Sequence, residues 1–195
     1  MRLKQLSPDE QRDFVCMAEL LSLAEKPVQE KSGESVFPFP FPISVTPRLI
    51  ERSEEEQAVI DELARRCDPH GANGLAYATG GRYGHQDMAQ ALAAQLGQLA
   101  TDSENAASNR VQAALSVLRE VLDGRKASVP SAPKLMLFEL MVFALAKGNI
   151  TGVEWQLLKE FQHHHQLESH VFDDLLERAQ CTHREAQKAL AIILE

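Results

Sequence analysis

A glycine-rich segment, residues 68–84, is the first place where residue types and spacing suggest chemistry. It contains five of the ten glycines in the chain, together with Arg82 and Tyr83, and His85 follows it directly. A glycine-rich loop that opens a helix can present backbone amides to an anion. However, the segment has neither the dinucleotide-binding spacing GxGxxG after a strand nor the phosphate-loop spacing GxxxxGKS/T. We therefore expect an ordinary surface loop, and the alternative is a small-ligand or enzyme site formed by Arg82, Tyr83 and His85.

Histidines form a second cluster, since four of the seven in the chain lie between residues 163 and 170. One helical turn separates Glu160 from His164, which is the spacing of a zinc-ligand pair. Consecutive histidines point in different directions on a helix, however, and no HExxH or Cys/His spacing accompanies them. We favour a solvated helix end over a zinc site, because charged histidines at a helix C-terminus interact favourably with its dipole.

The sequence contains no pattern typical of covalent or acid–base catalysis. No serine lies in a GxSxG turn, and no cysteine accompanies a histidine signature. Adjacent carboxylates such as Asp173 and Asp174 face different ways on a helix. We therefore predict no catalytic residue and favour a non-enzymatic protein.

Three phenylalanines alternate with three prolines between residues 37 and 42. Proline at every second position prevents a helix and keeps the chain extended. Because Phe37, Phe39 and Phe41 are costly to leave in water, this arm either lies over the protein's own core or grips a protein partner or second subunit. We favour the first alternative, and the second would make these residues a partner-binding site used in oligomerisation.

The composition of the chain excludes several classes of protein. Its 195 residues include 28 acidic and 20 basic residues, and 44% are hydrophobic. This is too apolar for a disordered chain and too charged for a membrane bundle. The net charge of −8 disfavours nucleic-acid binding, which needs a basic face. We find no signal peptide, and the longest apolar run, residues 135–146, is too short for a transmembrane segment. The cysteines, Cys16, Cys67 and Cys181, are widely spaced and odd in number, which argues against a disulfide framework, so we expect a cytoplasmic protein.

Helix starts are the clearest structural signal in the sequence. Apolar residues recur at helical spacing, and Ser/Thr-x-x-Glu capping boxes precede several of these stretches, at residues 7–10, 53–56, 101–104, 151–154 and 182–185. We predict an all-α fold, a compact bundle of about eight helices that forms a single domain over residues 1–195. A Ser/Pro linker, residues 123–133, could divide it into layers 1–124 and 131–195. The helix over residues 134–147 is apolar nearly all round and must be enclosed by others.

Residues 138–179 carry the pattern that points to a family. An apolar helix ends in Ala146-Lys147-Gly148-Asn149-Ile150, and Glu154 opens the next amphipathic helix. This stretch resembles the TerB-like family, which includes tellurite-resistance TerB proteins and a helical module of membrane-anchored J-domain co-chaperones. The family signature is Ala-Asp-Gly-x-Ile with a Glu seven residues after the Asp. Here Lys147 stands at the Asp position.

The resemblance implies a helical bundle with two related halves and a cation site. Residues 17–28 echo residues 139–150, with Ala24 on Ala146 and Glu25 at the position of Lys147. The Phe-Pro arm would then be a long insertion before the helix that starts at Ser53. Acidic residues near these turns are linked in the family to binding a divalent cation, which would make Glu25, Glu139 and Glu154 the candidate metal ligands.

The function that the resemblance implies is that of a non-enzymatic bacterial protein that binds partners. It would act in tellurite or stress response or in an envelope-associated assembly, through a protein partner or self-association, with peripheral membrane association as a variant. Two alternatives stay open beside it. One is an oligomerisation or adaptor protein that uses the Phe-Pro arm, and the other is a ligand or enzyme site in residues 71–85.

Overall fold

The computed structural model describes residues 3–26, 28–30, 47–49, 54–67, 87–99 and 106–194. A short 3-10 helix, Leu3–Gln5, precedes the first α-helix. The two strands are β1 (Val28–Glu30) and β2 (Pro47–Leu49). The α-helices of the described part are α1 (Pro8–Leu23), α2 (Glu54–Cys67), α3 (Asp87–Gln98), α4 (Ala106–Leu122), α5 (Ala132–Ala146), α6 (Gly152–His164) and α7 (Ser169–Leu194).

The all-α class is confirmed, although the sequence predicted no strand and one short strand pair is present. Strands β1 and β2 pair antiparallel, with Val28 opposite Leu49 and Glu30 opposite Pro47. Pro47 is the first residue of its strand, a position that proline tolerates because it lacks only one ladder donor there. The pair lies at the two ends of the segment that holds the Phe-Pro arm.

The described residues form seven α-helices, whereas the sequence predicted about eight. The difference arises in α7, where the box at Thr182 and Glu185 was predicted to start a separate helix. That prediction is wrong, because the Thr182 hydroxyl donates a hydrogen bond to the carbonyl of Arg178, one turn earlier, at 2.9 Å. No glycine or proline interrupts residues 169–194, so nothing in the backbone forces a break.

Two of the other predicted capping boxes are confirmed at atomic detail. At the start of α1 the amide of Glu10 donates to Ser7 Oγ at 3.3 Å, and the Ser7 amide donates to Glu10 Oε2 at 2.8 Å. The box at Thr151 and Glu154 opens α6 in the same way. The boxes predicted at residues 53–56 and 101–104 include residues outside the described part of the chain.

Helix α5 is enclosed by its neighbours, as its apolar sequence predicted. It packs against α1, α6 and α7, and its side chains are buried on several sides. Helices on both sides of the linker at residues 123–131 contribute to one hydrophobic core. Helix α1 contacts α4 on one side of the linker and α5 and α6 on the other. The largest fully buried side chains of this core include Phe14, Phe161, Phe172, Leu137 and Met141.

Helix α7 is the longest helix of the described part, at 26 residues. No helix among the described residues combines the length and the apolar character that crossing a membrane requires.

Candidate functional site

The turn between α5 and α6 contains the residues on which the family resemblance depends. Helix α5 ends at Ala146, and the amide of Gly148 donates to the carbonyl of Leu145 at 2.9 Å. Gly148 has a φ of +118°, a backbone conformation that favours glycine. Thr151 then caps α6, since its hydroxyl oxygen accepts from the Glu154 amide at 3.3 Å. Residues 138–179 thus form three packed helices joined by tight turns.

Glu154 is fully buried in this turn, where it has two structural partners. Its Oε2 accepts from the Thr151 amide at 3.0 Å, and its Oε1 forms an ion pair with the Lys147 ammonium. A buried carboxylate needs this kind of compensation, because removing it from water without a partner is strongly unfavourable. Lys147 therefore supplies the positive charge at the position where the family has an Asp.

The three predicted metal ligands are not gathered into one site. Glu139 is buried in the middle of α5, and Glu154 is buried at the start of α6. Glu25 is exposed after the end of α1, where its carbonyl oxygen accepts from Arg110 at 3.4 Å. Across the part of the chain that the structure describes, no three His, Cys, Asp or Glu side chains are placed to hold a metal ion. A divalent cation thus remains a prediction from the resemblance alone.

The histidines near the end of α6 pack against aromatic rings and each other. The His165 ring lies 4.5 Å from the Phe161 ring and 4.8 Å from the His164 ring, measured between centroids. Burial lowers the pKa of His165 to about 4, and His164 adds to the effect. Glu160, which the zinc alternative would pair with His164, instead accepts a hydrogen bond from Arg119 Nε at 2.6 Å. The Arg119–Glu160 contact joins α4 to α6.

A polar junction between α1 and the linker before α5 was not predicted from the sequence. Glu10, identified only as a cap, also accepts hydrogen bonds from the amide and hydroxyl of Ser128, each at 2.8 Å. Burial raises the pKa of Glu10, but the hydrogen bonds from Ser128 and Ser7 outweigh it and the net shift is downward. No local pattern in the sequence could indicate Ser128, because 118 positions separate the two residues.

Asp13 lies one turn further along α1 and is also buried. Burial raises the pKa of its carboxyl group from 3.8 to about 6, although Arg125, at 3.5 Å, opposes the shift. Burial likewise raises the pKa of the Cys16 thiol to about 12, which keeps it protonated and unreactive. These groups have the environment of structural residues rather than of nucleophiles.

The second half of α7 has a different character, because its apolar side chains face solvent. Phe172 and Ala179 in the first half are fully buried, but Leu190, Ile192, Ile193 and Leu194 expose 49%, 75%, 76% and 83% of their surfaces. Every described residue from 184 to 194 is exposed. Contiguous exposed apolar residues on a folded protein mark interaction sites. The sequence predicted a helix here but assigned it no role.

The remaining predicted site residues lie outside the described part of the chain. They are the partner-binding candidates Phe37, Phe39 and Phe41 and the ligand-binding candidates Arg82, Tyr83 and His85. Both predictions stand as they were made from the sequence.

Comparison with known proteins found no match to the chain among family models, curated proteins or solved structures. Any functional assignment therefore has to come from this chain's own residues. The candidate site that they favour is the exposed second half of α7.

Proposed function

We propose that this chain is a non-enzymatic helical protein that works by binding a protein partner through the second half of α7. The exposed apolar residues of that segment, Leu190 and Ile192–Leu194, carry the proposal. Exposing apolar side chains to water is unfavourable, so the free energy falls when a partner covers them. The rest of the described surface has isolated large apolar residues, Val59 and Val129.

The buried polar groups support a non-enzymatic role. Glu10 and Glu154 each cap a helix. Glu10 also accepts a hydrogen bond from Ser128, and Glu154 also forms an ion pair with Lys147. Asp13 has a perturbed pKa of the kind found in active sites, but its side chain is buried and pairs with Arg125 at 3.5 Å. A catalytic group must reach a substrate, and these carboxylates are turned toward helix ends and neighbouring side chains.

The resemblance of residues 138–179 to TerB-like proteins suggests the cellular process in which this binding takes place. It favours a bacterial cytoplasmic protein that acts in tellurite or stress response, or in an assembly near the envelope. In this turn the Lys147 ammonium compensates the charge of the buried Glu154 carboxylate.

The test is photo-crosslinking inside cells. A benzophenone side chain replaces Leu194 in one variant and Glu185, an exposed residue on the opposite face of the same helix, in another. We expect a discrete protein adduct with the first variant and little or none with the second. Absence of an adduct at position 194, with the protein folded and expressed, would contradict the proposed function.

The proposed role in tellurite or stress response has a separate test. A strain that lacks the gene should become sensitive to tellurite or to envelope stress, and the wild-type chain should restore growth. Leu190→Ser should fail to restore it although the bundle folds normally. Full rescue by that variant would mean that the exposed face of α7 has no part in the response.

A further inference from the structure

The stripe of α7 that packs on the bundle continues with the same spacing into its exposed half, with His183 as its polar member. Residues 172, 176, 179, 183, 186, 190 and 193 follow alternating steps of four and three, which is the spacing of a coiled-coil seam. Phe172, Leu176 and Ala179 use the first part of this stripe to pack against the core. The same stripe then continues as His183, Ala186, Leu190 and Ile193.

The charges of the exposed half lie away from this stripe. At about 100° per residue, Arg184, Glu185 and Lys188 all fall more than about 110° from the line through Phe172 and Leu190. Lys188 and Glu185 also form an ion pair with each other at 2.7 Å, on the outer face. The positions that flank the stripe are Thr182, Gln187 and Ala189, none of which is charged. A second helix of identical sequence would therefore meet no like charge along the seam.

This charge pattern argues against a membrane as the occupant. Helices that lie on anionic membranes have a polar face rich in Lys and Arg. Here the outer face mixes Arg184 and Lys188 with Glu185, and the chain as a whole carries a net charge of −8. An uncharged apolar protein surface therefore fits the seam better than an anionic membrane.

The sizes of the side chains select an antiparallel arrangement. In a parallel pair each residue meets its own copy, so Ala186 would face Ala186 and leave a gap. In an antiparallel pair centred on residue 188, Ala186 faces Leu190 of the other copy, and His183 faces Ile193. Small residues opposite large ones pack without voids. This register also sets position 194 opposite Thr182, beyond Ala179, where the contact with the core ends.

We propose that the occupant of the exposed half of α7 is a second copy of this chain, which pairs with it antiparallel through Ala186, Leu190 and Ile193 about a two-fold axis near residue 188. The proposal rests on the proposed function and names its partner. A contact of about three to four turns is smaller than the roughly 1,200 Å² of stable interfaces, so the dimer should dissociate in the micromolar range.

Ile192 and Ile193 give a matched test of this seam. They are the same residue type and expose 75% and 76% of their surfaces, but Ile192 lies about 160° from the stripe. Sedimentation equilibrium of the full chain, over concentrations that cross the micromolar range, should show a monomer–dimer equilibrium. We expect Ile193→Ser to raise the dissociation constant at least about tenfold and Ile192→Ser to change it less than about twofold.

A gain of affinity gives a second, opposite readout. His183→Leu replaces the polar member of the seam, which is half-buried, with an apolar residue. It should tighten the dimer about tenfold without changing the fold. Circular dichroism of each variant confirms that α7 stays helical.

A spin label at residue 177 distinguishes the two orientations. Glu177→Cys is made in a Cys181→Ser background, since Cys16 and Cys67 are buried. Residue 177 lies 11 positions from the proposed axis in each copy, so an antiparallel pair separates the labels by about 33 Å along the helix. A parallel pair would bring them within about 10–20 Å and would overturn the register.

The remaining outcomes are decisive in the same way. Equal loss of association in Ile192→Ser and Ile193→Ser would overturn the seam, as would pelleting with vesicles of phosphatidylglycerol that Ile193→Ser abolishes. A chain that stays monomeric throughout overturns self-pairing. In that case an in-cell adduct at position 194, with a mass other than that of two chains, still leaves the proposed function standing, whereas absence of any adduct removes both.

Discussion

In the first half of α7, Phe172 and Ala179 are fully buried against the bundle, whereas in the second half Leu190 and Ile193 face solvent. Both halves use one stripe with one spacing, and no break in the helix separates them. The difference is therefore not local. It arises because α5 packs against α7 and Trp155 of α6 contacts Phe172 in the first half, whereas every described residue from 184 to 194 is exposed.

This contrast separates two meanings of an amphipathic helix. Where a neighbour is present in the same chain, the apolar stripe contributes to folding, because its burial removes apolar surface from water. Where no neighbour is present, the stripe stays exposed, and a partner that buries it lowers the free energy of association. Periodicity alone cannot distinguish the two cases, since it describes the helix and not its surroundings.

Truncating one residue in each half should give the largest difference. Phe172 packs edge-on against the Trp155 ring, with centroids 5.4 Å apart, and the Lys159 ammonium lies 3.5 Å from its centroid. We expect Phe172→Ala to lower the free energy of unfolding by about 3–5 kcal/mol. Leu190→Ala, at a concentration where the chain is monomeric, should lower it by less than about 0.5 kcal/mol.

Urea unfolding followed by circular dichroism measures both values. If Leu190→Ala cost as much as Phe172→Ala in dilute solution, the second half would be packed within its own chain. The comparison between the two halves would then be broken, and with it the proposal of a second copy.

A rise in pH should destabilise the helical bundle through Asp13 of α1. Its pKa is raised from 3.8 to about 6 in the folded state, chiefly by burial. Between these values the folded protein binds the proton more tightly than the unfolded chain, so the free energy of unfolding falls as pH rises. The loss is complete above about pH 6 and amounts to up to about 3 kcal/mol, at roughly 1.4 kcal/mol per pH unit.

Asp13→Asn should remove this dependence. The variant should be more stable than the wild type by about 2–3 kcal/mol at pH 8, less whatever the lost contact with Arg125 contributes, and equal to it below about pH 4. Asp61→Asn is the control, because Asp61 is exposed on α2 and its contact is a surface hydrogen bond from Gln57 at 2.8 Å. Thermal unfolding at a series of pH values checks both. Identical profiles for the wild type and Asp13→Asn would contradict the assigned cause.

The parts of the fold that the sequence could predict are those that depend on near neighbours. The boxes at Ser7 and Thr151 join residues three positions apart, and the enclosed α5 follows from its own composition. The contacts that could not be predicted join distant positions, such as Glu10 with Ser128 and Arg119 with Glu160. Their formation depends on how the helices pack, which no spacing within one segment contains.

The candidate site divides in the same way. The sequence contains the stripe of α7, but its exposure depends on where the bundle ends. Glu154 was predicted as a cap and as a metal ligand, and only its contact with Lys147 shows which charge compensates it. Glu25 and Glu139 were predicted as metal ligands from the resemblance, but Glu25 is exposed after α1 and Glu139 is buried in α5.

The smallest expected effect compares two copies of one local pattern. Thr151-x-x-Glu154 starts α6, whereas Thr182-x-x-Glu185 lies in the middle of α7, where the two halves of that helix join. Thr151→Ala should lower the free energy of unfolding by about 1 kcal/mol, because it leaves the Glu154 amide without its acceptor. Thr182→Ala should be neutral or slightly stabilising, since alanine has the higher helix propensity and the hydroxyl bonds only to a carbonyl that already accepts within the helix.

The two threonines are therefore a direct test of whether α7 is continuous. If Thr182→Ala were as costly as Thr151→Ala, Thr182 would be acting as a cap, and the second half of α7 would be a separate helix. Its apolar stripe would then no longer extend the one that packs on the core. A separate helix could turn back onto the bundle and cover Leu190 and Ile193 within the same chain, which would remove the reason for a second copy to bind there.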